Sequence, residues 1–140
     1  MTTTELDDRQ RANLQKLTDV GRHVPDRLDE IADRFHPDFL WTYVNPELPE
    51  IAGQYRGVAG FTDFFARLAD VSNGSFRGGS VDAWPIGPEL AVVRTAPSMT
   101  RGGRKLRTDA VVVWRFVDGL IHSAWDIPAS AIDDGPADPD

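Results

Sequence analysis

RKLRTDAVVVWRFVDGLIHSAWDIP, residues 104–128, reads as two long β-strands joined by a tight turn at Asp118-Gly119. Asp-Gly between two alternating apolar runs favours a type I′ turn, because both central residues must take positive φ and the turn's twist matches that of the strands. Side chains alternate with a period of two, so Thr108, Ala110, Val112, Trp114 and Phe116 share one face. Asp109, Val111, Val113, Arg115 and Val117 share the other. On the second strand His122, Ala124 and Asp126 fall on one side, opposite Ile121, Ser123, Trp125 and Ile127. An ionisable pair thus sits within a strongly apolar hairpin. Charges are rarely buried without a partner or a task, which makes His122 and Asp126 the first candidates for function.

Upstream, helical and extended patterns alternate. Thr4 is placed to cap a helix over 5–20, in which Leu14, Leu17 and Val20 recur at helical spacing. Pro25 suits the first position of a second helix, whose apolar stripe of Val24, Leu28, Ile31, Ala32 and Phe35 ends where His36 precedes Pro37. The stretch 38–45, DFLWTYVN, has the β-branched and aromatic content of a strand, with Phe39, Trp41, Tyr43 and Asn45 on one face. An irregular lip over 46–56 follows. Val58, Phe61, Phe65 and Leu68 then mark an amphipathic helix over 58–72, closed by Asn73-Gly74 as a left-handed cap. Strands over 75–84 and 90–100, the second interrupted by Pro97, complete a meander with the hairpin. Segregated helices and strands give an α+β domain over residues 1–132, and the acidic, Pro-rich residues 133–140 read as a disordered tail.

Composition narrows the function classes. The 140 residues are 41% hydrophobic, enough for one domain with a real core. Net charge is −7, yet Asp133, Asp134, Asp138 and Asp140 all fall in the tail, so residues 1–132 carry only −3. No basic face is available to neutralise phosphates, which argues against a nucleic-acid partner. The chain has no cysteine, no secretory pattern at its start and no apolar run of membrane-spanning length. A cytoplasmic location is the expectation, with no membrane partner. Neither a Gly-rich phosphate loop nor a His/Cys cluster is present, so neither a cofactor nor a metal is implied.

Three sets of residues carry a resemblance. They are His36-Pro37-Asp38-Phe39-Leu40-Trp41 at the first strand, Tyr55-Arg56-Gly57 with Val58 and Phe61 leading into the third helix, and Asp118-Gly119-Leu120-Ile121 before Trp125-Asp126. In this order they resemble the nuclear transport factor 2-like superfamily in its SnoaL-like branch, which includes polyketide cyclases, limonene-epoxide hydrolases and ketosteroid isomerases. The resemblance implies a cone-shaped roll, a strongly bent antiparallel sheet wrapped around about three helices and enclosing a pocket. It also implies proton-transfer chemistry on a small apolar molecule, of isomerase, cyclase or hydrolase type. A non-catalytic ligand-binding or accessory domain of the same fold is the alternative.

Traced onto limonene-epoxide-hydrolase-like proteins, the polar constellation resembles Tyr43, Asn45, Arg94 and Asp126. There the tyrosine, asparagine and carboxylate hold and deprotonate a water, and the arginine bridges to a second aspartate that protonates the epoxide. Two residues after Arg94 this chain has Ala96. A base without its acid leaves the leaving group unassisted, and His122 is the candidate replacement. The expected catalytic set is therefore Asp126, Arg94, Tyr43 and His122, with Trp41, Asn45, Thr108, Val112 and Trp114 lining the ligand. Arg94 and Asp126 have an equally open structural reading as a buried ion pair. The valine-rich hairpin face, with no helix left to cover it, is expected to form a homodimer.

Overall fold

The computed structural model describes residues 5–137. Helix α1 spans Asp8–His23, and its N-cap is Asp7, whose carboxylate accepts the Gln10 N–H while the Gln10 side chain accepts the Asp7 N–H. This reciprocal box satisfies two otherwise orphaned donors. The expected cap, Thr4, lies outside the described residues. The second apolar stripe forms a 3₁₀-helix, Leu28–Arg34, instead of an α-helix from Pro25. Three-residue turns keep Leu28 and Ile31 in the core but leave Ala32 exposed. Strand β1 is Phe35–Tyr43, β2 is Gly53–Arg56, and α2 is Gly57–Ser72, ended by Asn73 and Gly74 at φ 52° and 76°.

The remaining strands are β3 Ser80–Ile86, β4 Leu90–Thr95, β5 Ser98–Arg101, β6 Arg104–Arg107, β7 Ala110–Val117, β8 Leu120–Pro128 and β9 Ile132–Pro136. They make two sheets. The larger is curved and unclosed, in the order β2-β1-β8-β7-β4-β3, and the smaller runs β5-β6-β9. The architecture is thus α+β, with α2 packed on β1 and β2, and α1 against β3 and the 3₁₀-helix. Phe39, Phe61, Phe64, Phe116, Leu28 and Ile121 fill the centre.

The β7–β8 hairpin turns at Asp118 and Gly119, φ 53° and 76°, as two positive-φ residues should for a I′ turn. Its first strand obeys the expected parity: Ala110, Val112, Trp114 and Phe116 are buried and Val111 and Arg115 exposed.

Three further expectations are corrected. The two long strands expected over 90–100 and 104–117 are each broken, because Pro97 has no N–H to continue the main ladder. The chain crosses to the smaller sheet there, with the Ala96 N–H on Gly79 O and the Thr108 N–H on Pro97 O.

Parity on β8 also fails at one point. Phe116 pairs with Ile121 but Arg115 with Ser123, so His122 is an extra residue in a bulge.

Lastly, residues 133–136 of the expected disordered tail 133–140 are ordered, and residues 138–140 lie outside the described residues. Ile132–Pro136 forms β9 antiparallel to β6, with Asp133 on Arg104 at 3.0 Å and Asp134 on Arg107 at 2.9 Å. Composition reads such a tail as unfolded, but its partners lie 29 and 27 residues away in sequence.

Candidate functional site

The concave face of the large sheet, α1 and α2 enclose a cavity of about 650 Å³. That is the size of a site for a drug-sized molecule. Its walls are predominantly apolar. Leu14 and Leu17 come from the α1 stripe, Phe64 and Leu68 from α2, and Val112 and Trp114 from the inward face of β7. Trp41 stacks on Phe61 at 4.4 Å and leans on Trp114 at 5.6 Å, and its Nε1 is buried without a hydrogen-bond partner among the described residues.

Asp126 is the one charged side chain lining this cavity among the described residues. Its position follows from strand pairing: Asp126 stands opposite Val112 on β7 and opposite Tyr43 on the parallel neighbour β1. Among the described residues its carboxyl has neither a hydrogen bond nor an ion pair. Burial therefore acts unopposed, pushing its pKa from 3.8 up to about 7. At neutral pH such a group can both take and return a proton.

Tyr43 stands beside it. Burial raises the phenol to about 12; the Asn45 amide opposes the rise and the Asp126 charge adds to it. The Asn45 amide donates to the phenol oxygen at 2.9 Å, while its own oxygen accepts the Glu47 N–H. Tyr43 thus keeps its proton and is oriented by an N–H that occupies one lone pair, leaving its O–H to donate elsewhere.

Of the expected site residues, Trp41, Tyr43, Val112, Trp114 and Asp126 share the cavity. Asn45 and Thr108 instead line a smaller adjoining chamber of about 190 Å³. Arg94 is in neither. Across β4 and β7 it pairs with Val111, so it shares the outward face, where its guanidinium lies 3.8 Å from Asp82, both more than half exposed. Val93 and Thr95 take the inward positions. This overturns both readings of an Arg94–Asp126 pair, the tuned base and the buried strut. Ala96 is exposed and lines neither chamber, so a carboxyl there would face neither of them.

His122 is also displaced. The bulge turns it out of the cavity onto His36, ring centroids 4.8 Å apart, with Nδ1 3.2 Å from Ser123 Oγ. Lining residues not named from the sequence, such as Phe64, Phe76 and Thr95, carry no chemical signature. The only signal for them was the helical and strand periodicity that marks core faces. No group of three or more His, Cys, Asp or Glu among the described residues is placed to hold a metal.

The model of the SnoaL-like domain matches residues 22–124, about three-quarters of the chain. The chain belongs to the SnoaL-like domain family. Solved structures agree in fold. Bal32a, from a soil-derived mobile gene cassette, superposes with a TM-score of 0.75 at 14% identity, covering 88% of this chain and 93% of its own. TerC, co-crystallised with polyporic acid, gives 0.70 at 23% identity, with 84% and 92% covered. A Jannaschia sp. CCS1 protein named as a SnoaL-like polyketide cyclase gives 0.70 at 12%, with 90% and 91% covered. No protein of curated function matches the chain in sequence. Identities this low carry the fold, while the chemistry of this SnoaL-like protein rests on its own residues.

Proposed function

We propose that this SnoaL-like protein acts on a small apolar carbonyl compound by proton transfer, as an isomerase or cyclase does. The observation that carries the reading is Asp126, a lone carboxyl raised to about 7 in an apolar cavity. In the forward step its carboxylate takes a proton from carbon next to the carbonyl. The electron pair moves onto the carbonyl oxygen, and the Tyr43 O–H donates a hydrogen bond to the enolate that forms. Returning the proton to a different carbon isomerises the substrate; alternatively, attack of the enolate carbon on a second carbonyl closes a ring as that C=O π bond opens, and protonated Asp126 gives its proton to the new alkoxide oxygen. Epoxide hydrolysis loses its support with Arg94 outside the cavity.

The test is deuterium exchange. Beta-tetralone, a bicyclic ketone with acidic α-protons, is incubated with the protein in deuterated buffer and followed by NMR. The wild type should accelerate exchange over buffer, and Asp126→Asn should lose about 100-fold or more of that acceleration. Equal exchange by the two proteins would remove Asp126 from the chemistry.

A second reading, sequestration without catalysis, is favoured by the lack of a second charged side chain around the cavity among the described residues. It predicts that the ketone binds and exchanges no faster than in buffer.

The proposal extends to assembly and location. On the outward face of the large sheet Trp84, Val92, Val113 and Trp125 are successive cross-strand neighbours on four strands, forming one apolar row. Val111 and Ile127 extend it, and both tryptophans are about 40% exposed. A monomer rarely leaves so continuous an apolar patch in water, which supports a twofold homodimer through this face. Light scattering at micromolar concentration should give twice the chain mass, and Trp125→Glu should give a monomer. A monomeric wild type would end the proposal. A cytoplasmic location is part of the same reading, supported by the cysteine-free sequence; among the described residues no helix is long and apolar enough to cross a membrane.

A further inference from the structure

Tyr43, Phe76, Pro97 and Pro128 line both chambers, the large apolar one and the small one of about 190 Å³. The two are therefore neighbours across a single ring of side chains. At 190 Å³ the small chamber falls below the usual range for an independent ligand site, roughly 300 Å³ upward. It is large enough for a substituent of a few heavy atoms.

The walls of the small chamber differ in kind. Asn45 spends one N–H on Tyr43 and its oxygen on the Glu47 N–H, which leaves a second N–H to donate. Thr108 is half-buried, and its hydroxyl has no hydrogen-bond partner among the described residues. The charges there are already engaged. Glu47 accepts the Ala131 N–H at 2.7 Å, and Arg101 pairs with Glu50 at 3.3 Å. An anionic group would meet Glu47, and the one cation lining the chamber among the described residues, Arg101, is already paired. A neutral group that accepts hydrogen bonds would meet two donors.

We infer that the small chamber is a subsite for a neutral, oxygen-bearing substituent of the ligand whose apolar body fills the large cavity. This rests on the large cavity being the ligand site. The substrate class becomes correspondingly narrower: an apolar ring system carrying an uncharged carbonyl or hydroxyl arm, threaded past Tyr43 so that the arm anchors the body beside Asp126. Asn45 then has two duties, orienting the Tyr43 phenol and receiving the arm, so it acts on Tyr43 as a positioning residue.

The chain has no cysteine, so single introduced thiols report occupancy without background. Val112→Cys marks the large cavity and Met99→Cys the small one. The probes are the naphthyl ketone Prodan and the same dimethylaminonaphthalene lacking its propionyl group, and the reagent is the small, uncharged methyl methanethiosulfonate. Each probe is held at about ten times its dissociation constant, where an occupied site should be modified about tenfold more slowly.

Both probes should protect Val112→Cys, and Prodan alone should protect Met99→Cys. In the same assay Thr108→Val should weaken Prodan about threefold to tenfold and leave the ketone-free probe within twofold. Protection of Val112→Cys without protection of Met99→Cys by Prodan overturns the subsite and leaves the proposed function standing. Equal protection of Met99→Cys by both probes overturns its polar character. Protection of Met99→Cys alone makes the small chamber independent and overturns the shared ligand. Protection of neither removes the large cavity as a ligand site, and the subsite with it.

Discussion

Asp126→Asn should stabilise the protein by up to about 4 kcal/mol at pH 8 relative to pH 4. The direction follows from linkage. The folded carboxyl has its pKa raised from 3.8 to about 7, so between these values the unfolded chain has released a proton that the folded chain still holds. The native state then binds more protons than the unfolded state, and stability falls as pH rises through this window, levelling off above about 7. A rise of about three pKa units at ~1.4 kcal/mol each sets the upper bound of about 4 kcal/mol. Asparagine cannot ionise, so the variant escapes the loss. Any cost of burying an amide instead of a carboxylic acid is the same at both pH values and cancels in the difference. Urea unfolding of both proteins at pH 4 and pH 8 measures it. A shift equal at the two values would show that the Asp126 carboxyl titrates normally, and its candidacy as an acid–base group at neutral pH would fall with it. A group that costs stability when charged, and has no partner among the described residues to offset the cost, fits a working position better than a structural one.

Phe61→Ala should cost about 3–5 kcal/mol. Phe61 is 1% exposed and is the hub of the aromatic cluster, stacked on Trp41 at 4.4 Å and within 6.3 Å of Phe35, Phe39, Phe65 and Trp114. Removing the ring forfeits its burial and also leaves a void, because neighbours that stack on several sides cannot all close at once. It would also release the wall that holds Trp41 against the cavity. Urea unfolding reads the loss, and a cost below about 1 kcal/mol would mean that this cluster is loosely packed and that the cavity walls are not rigid.

The two predictions draw on different levels of the molecule. Phe61 belongs to an i, i+3, i+4 stripe that any reader of the sequence can place on the buried face of a helix. The pKa of Asp126 depends on what is not beside it. Its inward side could be read from the sequence once Trp114 and Val112 were placed, since period-two alternation is enforced by backbone geometry. Its lack of a counter-ion could not, because that depends on which face of β4 carries Arg94. Arg94 falls on the outward face through its pairing with Val111, a contact between strands joined by a separate two-strand excursion.

The sequence by itself determined the local and periodic features of this protein. These are the Asp118-Gly119 turn, the buried face of β7, helix α2 with its Asn73-Gly74 end, and the α+β class. Each follows from forces acting within a few residues: allowed dihedrals, side-chain alternation and helical spacing. The tertiary structure alone decided the bulge that turns His122 onto His36, the outward Arg94, the crossing of the chain between sheets at Pro97, and the capture of Asp133 and Asp134 by Arg104 and Arg107. A strand's register against its partner is a long-range choice, and one residue's slip exchanges its two faces. Identity and spacing along the chain do not encode that choice locally, so the residues that depend on it were settled only when the strands paired.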